Sequence, residues 1–254
     1  MPRDVALTTE ARGVLSVHPV LSVRPFGVDA FVSDRFGGVS AGPYESLNLG
    51  DHVGDDEHHV QENRRRVAEA VGTERLVIVR QVHANALEDA AFATRSSEAD
   101  ILATTRDDLA LAILVADCVP LLLVDAASSR FALVHAGWRG LADRVVANAV
   151  AIFDDAADVH VFVGPSISVE GYQVGPEVAR HFTDVPDAVI DDAQDRSRLD
   201  LRAVVTHQLL EAGVADEHVV RSTDVTDGGE LFFSDRAQRP CGRFALVAKR
   251  GLVA

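Results

Sequence analysis

The feature that most constrains this chain is the run from Leu109 to Asp125, Leu-Ala-Leu-Ala-Ile-Leu-Val-Ala-Asp-Cys-Val-Pro-Leu-Leu-Leu-Val-Asp. It is too apolar to lie at a surface, and Pro120, which lacks a backbone N–H, breaks any continuous helix or central strand through it. Two buried strands on either side of an Asp117-Cys118 junction are therefore predicted.

Other elements arrange themselves around that pair. Leu76-Val77-Ile78-Val79 is a short β-branched run leading into Arg80-Gln81-Val82-His83, so His83 is expected at or just beyond a strand end. Phe131-Ala132-Leu133-Val134 reads as a strand running into His135-Ala136-Gly137-Trp138-Arg139-Gly140, after which Leu141, Val145, Ala149 and Ile152 recur at helical spacing. His135 is thus placed between a strand and a helix start. Asp55 or Asp56 is suited to cap a helix reaching about Val71, with Gly72 as its stop, and Asp200 to cap another that ends at Gly213. Val159 to Val163 and Phe244 to Ala248 read as strands, and Pro176 as the first residue of a short helix. Residues 1 to 14 are expected to form a flexible leader ahead of a single domain over 15–254, with the acidic stretch Asp184 to Asp200 as a surface loop. Strands and helices alternate irregularly, which favours a mixed sheet over a regular parallel one.

Composition narrows the class. With 254 residues, 47% hydrophobic and 25% charged, the chain can bury a substantial core. A formal net charge of −15 argues against nucleic acid or a membrane surface as partner, because phosphates repel an acidic surface. Two cysteines in unrelated contexts, Cys118 and Cys241, do not make a disulfide framework. Reduced thiols, no signal-peptide pattern and no apolar run of spanning length predict a cytoplasmic protein.

His83, Cys118 and His135 all fall at predicted strand ends, and two imidazoles with a thiolate make a ligand set that zinc accepts with a fourth position open. Spacing alone leaves the alternative that each is simply packed. Context adds to the metal reading: Asp117 adjoins Cys118, and the glycines around Trp138 and Arg139 offer backbone N–H groups to an anion. Arg139 near the positive end of a helix points to an anionic partner, whereas Trp138 reads as a packing aromatic.

The chain resembles the YfiH-type proteins, also known as polyphenol oxidase or laccase-domain proteins and as peptidoglycan editing factors. The carriers are Arg35-Phe36-Gly37-Gly38-Val39-Ser40, Ser46-Leu47-Asn48-Leu49-Gly50, Gln81-Val82-His83, Ala116-Asp117-Cys118, His135 to Gly140, and Gly242-Arg243-Phe244. The resemblance implies an α+β single domain with mixed β-sheets flanked by helices in a layered sandwich, and one zinc ion on His83, Cys118 and His135. It aligns Arg35, Asn48 and Arg139 with substrate-binding motif positions, while Asn48 also suits a turn-stabilising role and Arg243 an ordinary strand-end charge. Departures are Ala84 where the family usually has glycine, Gly164-Pro165-Ser166-Ile167 in place of a cysteine-containing segment, and Ser234-Asp235-Arg236-Ala237 where relatives often have Ser-His-Arg-Arg. The last puts in doubt any catalytic histidine there.

By that resemblance the expected activity is phosphorolysis of adenosine, inosine, guanosine or methylthioadenosine, with deamination of adenosine. Arg139, assisted by Arg35, would hold phosphate, and the chain would work as a monomer or small homo-oligomer. Asp117 is a candidate proton carrier in deamination or, at least as well, a buried carboxylate that orients a ligand histidine or braces the cysteine loop. Three alternatives share the same residues. Cys118 could be the nucleophile of a cysteine hydrolase acting on a cell-wall precursor. The ligand set also suits copper, although no His-x-His occurs in the chain to build a multicopper centre. The third is a nucleoside-binding protein without catalysis.

Overall fold

In the computed structural model, which describes residues 1–125 and 127–251, the junction between the two buried strands falls where the chain changes sheet. Ala110–Val115 lies in a six-stranded sheet and Val119–Asp125 in a seven-stranded one. Ala116, Asp117 and Cys118 form the corner, with Asp117 in the left-handed region at φ 90. That conformation is costly for a residue with a Cβ, so it persists only where its surroundings impose it. Here the Asp117 carboxylate accepts hydrogen bonds from the Thr226 hydroxyl at 2.6 Å and the Arg236 backbone N–H at 2.7 Å. Its carbonyl accepts one from Ile167 at 3.0 Å.

Pro120 does not end a strand as its chemistry suggested; it is the second residue of Val119–Asp125, opposite His135. His135 donates its N–H at 2.8 Å to the Asp100 carbonyl on its other side, so the ladder needs no donor from proline at that pair.

The six-stranded sheet runs Glu10–Arg12, Leu15–Pro19, Val28–Ser33, Phe244–Arg250, Ala110–Val115 and Leu76–Val77, antiparallel except for the last pair. The seven-stranded sheet runs Arg3–Val5, Val219–Ser222, Val159–Val163, Val119–Asp125, Phe131–Ala136, Ile101–Thr104 and Leu87–Asp89, with an antiparallel centre and parallel pairs toward both edges. Side chains alternate across each strand, and both faces of both sheets find cover. Leu122, Val124, Phe131, Leu133 and Phe162 of one sheet pack onto Val32, Ile113, Phe244 and Leu246 of the other. The opposite face, with Leu121 and Leu123, packs under the helices Trp138–Ala142, Val145–Val150 and Leu201–Glu211 through Leu141, Val145, Val205 and Leu209. The outer face of the six-stranded sheet, with Ala112, Leu114 and Val247, is covered by Val67 of the helix Glu57–Ala70. The result is the expected α+β layered sandwich: helix, sheet, sheet, helices. No helix among the described residues is long and apolar enough to cross a membrane.

Three expectations about local structure change. The segment 1–14 contains two strands rather than a free leader: Arg3–Val5 adds to one sheet edge beside Val219–Ser222, and Glu10–Arg12 pairs with Leu15–Pro19. These strands contribute backbone hydrogen bonds and little apolar surface, so no periodicity announces them. The acidic stretch folds as the hairpin Val189–Asp192 and Arg196–Leu199, joined by Gln173–Val174 in a small third sheet. The helix expected from Leu141 to Ile152 is broken at Arg144, which turns left-handed at φ 62. Helix capping by Asp56 and Asp200 occurs as read, each carboxylate accepting from two following backbone N–H groups.

Shortening Leu122, fully buried between the sheets, to alanine is expected to lower unfolding free energy by about 2–5 kcal/mol. The same truncation at Val14, 70% exposed, is expected to stay within about 0.5 kcal/mol. Urea denaturation of the two variants compares them.

Candidate metal centre

The fold brings His83, Cys118 and His135 together, with their ligand atoms all within 4.8 Å of one another. Cys118 Sγ lies 4.0 Å from His83 Nε2, and the two imidazole rings meet edge to face at 4.6 Å between centroids. Tetrahedral zinc at its usual bond lengths spaces a sulfur and a nitrogen donor by about 3.5 Å, so this pair needs to close by only about half an ångström. The three donors could hold a metal ion, and the set is one that zinc accepts.

Each donor comes from a different piece of the sandwich. Cys118 is the last residue of the corner between the sheets, and His135 is the penultimate residue of the strand Phe131–Ala136. His83 sits in the loop beyond Leu76–Val77, at φ 58. The Gln81 side chain anchors that loop, donating to the Leu114 carbonyl at 2.7 Å and accepting from the Leu114 N–H at 2.8 Å, as a neighbouring strand would. Gly137 leaves room for the donors: a Cβ there would stand 2.9 Å from Cys118 Sγ and 3.0 Å from a His83 ring carbon.

Asp100, which the sequence reading missed, organises the group. It is fully buried, and its carboxylate takes the Nδ1 hydrogen of His135 at 2.7 Å. That contact leaves Nε2 as the free ligand nitrogen, the arrangement expected for a metal-binding histidine. The same carboxylate accepts backbone N–H bonds from Val82, His83 and Ala84 at 3.2, 3.0 and 2.7 Å, so one side chain sets both the His135 ring and the His83 turn. Sequence reasoning anticipated a carboxylate partner for a ligand histidine but looked for it in Asp117. The available signal was an isolated acid at the mouth of the apolar strand Ile101–Thr104.

The charges ready the thiol for a metal, whereas His135 has a proton to release before it binds one. Burial alone would push the Cys118 thiol up, but His135 and His83 outweigh it and bring the thiol down to about 6. Burial likewise opposes a charged His135, and the Cys118 thiolate with Asp100 overcomes it, raising the imidazole to about 9. Burial disfavours the ionised Asp100 as well, yet the hydrogen bonds from His135 and the 82–84 turn hold it below its ordinary value.

The donors open into a cavity of about 760 Å³ that is also lined by Asp117, Trp138, Arg139, Tyr172 and Arg236. Arg35 and Asn48 are not in its lining. Arg35 donates to the Glu45 and Gly229 carbonyls and stacks on Phe233, tying loops together. Asn48 is fully buried, with its carbonyl oxygen accepting from Gly50 and Arg243 and its amide donating to Gly50 and Asp55. Both motif residues fasten backbone segments outside the cavity lining. Asp117 lines the cavity, but both its carboxylate oxygens are engaged by Thr226 and Arg236.

Residues 29–250 match the family described as multi-copper polyphenol oxidoreductase laccase. The chain belongs to this family, the YfiH-type proteins. Among YfiH-type relatives, a purine nucleoside phosphorylase of Corynebacterium glutamicum is 37% identical over 224 residues, covering 84% of this chain and 90% of that protein. The purine nucleoside phosphorylase YfiH of Escherichia coli is 34% identical over 228 residues, covering 87% and 93%. The solved structure of YlmD from Geobacillus stearothermophilus superposes with a TM-score of 0.88 at 31% identity, covering 97% of this chain and 99% of that one.

Replacing Asp100 with Asn puts an amide donor against backbone N–H groups and removes the charge facing His135. Zinc affinity is expected to fall about 10- to 100-fold while all three ligands remain. Competition with a chelating dye reads the affinity, and unchanged binding would mean that Asp100 does not orient His135.

Proposed function

We propose that this chain is a zinc-dependent purine nucleoside phosphorylase acting on adenosine, inosine, guanosine and methylthioadenosine, with an adenosine deaminase activity. The observation that carries the reading is a single cavity in which the His83, Cys118 and His135 donors open beside Arg139, a guanidinium with no carboxylate partner among the described residues. The purine nucleoside phosphorylase names of relatives at 32% to 38% identity supply the substrate class.

In phosphorolysis a phosphate oxygen bonds to the sugar C1′ as the bond from C1′ to the purine nitrogen breaks, and the purine departs with the electron pair. Charge builds on the leaving base and is already present on the nucleophile, so the wall needs fixed cations and donors. Zinc held by His83, Cys118 and His135 would supply Lewis-acid charge at this point. Arg139 is placed to hold an anion, its guanidinium stacked 4.2 Å from the Trp138 ring. Tyr172 lines the same wall, and burial raises its phenol well above the ordinary range, so it faces substrate as a protonated hydrogen-bond donor. Asp117 acts as the brace of the cysteine corner; with both oxygens engaged it is a poor candidate for the deaminase proton carrier.

One observation supports a second reading. A thiol at about 6 beside His135 and Asp100 is also the arrangement of a cysteine nucleophile. Elemental analysis of wild type and Cys118→Ala, with inosine and adenosine turnover measured with and without phosphate, separates the two. Near-stoichiometric zinc and phosphate-dependent base release, both lost in the variant, are expected. Full phosphate-dependent release in metal-free protein would sink the zinc requirement, and turnover that needs neither metal nor phosphate would sink the phosphorylase reading in favour of the hydrolase.

A further inference from the structure

The cavity is basic within an acidic protein, and few of its cations are free. Of the carboxylates in its lining, Asp51 pairs with Arg64 at 3.1 Å, and Asp235 lies between Arg239 and Arg243. Arg80 is paired with Glu98 at 2.7 Å. Among the described residues that leaves Arg95, Arg139 and Arg236 without a carboxylate partner, and Arg95 lies on an exposed turn with no aromatic ring beneath it.

Arg139 and Arg236 are held in matching ways. Each guanidinium lies over an aromatic ring of the cavity wall, Arg139 over Trp138 at 4.2 Å and Arg236 over Tyr172 at 5.1 Å. Stacking fixes the plane of a guanidinium and leaves its N–H edge available for an oxyanion. Arg236 is further set by one donation to the Gln173 carbonyl at 2.9 Å, which leaves its other donors free. Its backbone N–H is the group that grips Asp117, next to Cys118. Both arginines and the rings beneath them line the same cavity as His83, Cys118 and His135.

We infer that Arg139 and Arg236, backed by Trp138 and Tyr172, form a two-arginine clamp for the phosphate dianion beside the metal centre. The inference rests on the phosphorylase reading for the identity of the anion as orthophosphate. It replaces Arg35, which the fold keeps out of the cavity, as the partner of Arg139. Through the contact of Asp117 with the Arg236 amide, the corner that presents the cysteine ligand also fixes one jaw of the clamp. Anion and metal would then be held in register by a single residue.

The test titrates zinc-loaded protein with inorganic phosphate by calorimetry, without nucleoside, in wild type, Arg139→Gln, Arg236→Gln and Arg236→Lys. Arg65→Gln, on the outer helix and paired with Glu62, controls for net charge. Each glutamine variant is expected to weaken phosphate binding about 10- to 100-fold, the usual cost of losing a charge-assisted hydrogen-bond partner. In turnover the loss should appear in the phosphate KM more than in the inosine KM, and Arg236→Lys should recover part of it. Phosphate affinity unchanged in both glutamine variants, while wild type still phosphorolyses inosine, would overturn the clamp and leave the phosphorylase reading standing. Phosphate binding that the variants abolish in a protein that phosphorolyses no nucleoside would uphold the clamp and sink that reading instead.

Discussion

Two sheets with four apolar faces have to be covered at once, and the chain meets this by crossing from one sheet to the other in three residues, Ala116 to Cys118. So tight a crossing leaves no room for a relaxed loop. It forces Asp117 to positive φ and aims Cys118 out of the sandwich edge, where the strand carrying His135 and the loop carrying His83 end beside it. The site is therefore a product of how the layers are joined: a longer connection would satisfy the cores equally well and lose the thiol's position.

Around that corner, buried carboxylates act as structural fasteners. Asp100 joins the His83 turn to the His135 ring, and Asp117 joins the cysteine corner to the segment Thr226 to Arg236. Each is desolvated and each has its oxygens filled by donors, the condition under which a buried charge is tolerated. With the acids engaged in this way, the cavity can stay locally basic in a chain whose net charge is −15. Overall charge discourages nonspecific polyanions, while the cavity itself is lined by arginines.

The parts of this architecture that bury side chains were legible in the sequence. The strands Val119–Asp125, Phe131–Ala136 and Val159–Val163, and the two carboxylate-capped helices, appear where apolar runs and caps placed them. The edge strands Arg3–Val5 and Glu10–Arg12 were invisible because they bring hydrogen bonds without an apolar pattern. Within the site, His83, Cys118 and His135 were singled out weakly by their strand-end positions and more firmly by the family resemblance, and the fold brings them together. Arg35 and Asn48, expected at the substrate, fasten loops outside the cavity lining, and a motif residue of either kind looks the same in sequence. Asp100 and Arg236 escaped because their roles depend on contacts spanning tens of residues, Asp100 to His135 and Asp117 to Arg236.

The order in which strands are laid into the sheets governs how the molecule is made. Val28–Ser33 finds one neighbour only in Phe244–Arg250, and Arg3–Val5 pairs with Val219–Ser222, so neither sheet is complete until residues 219–250 have been synthesised. Pairings of such long sequence separation are slow to form, because loop-closure entropy is lost before contacts reward it. During translation the inner faces around Leu122 and Ile113 lie open, and Cys118 precedes by more than a hundred positions the Thr226 and Arg236 groups that fix its corner. The nascent chain thus carries the Cys118 thiol well before the structure that restrains it, and the corner is fixed only once the segment Thr226 to Arg236 has emerged.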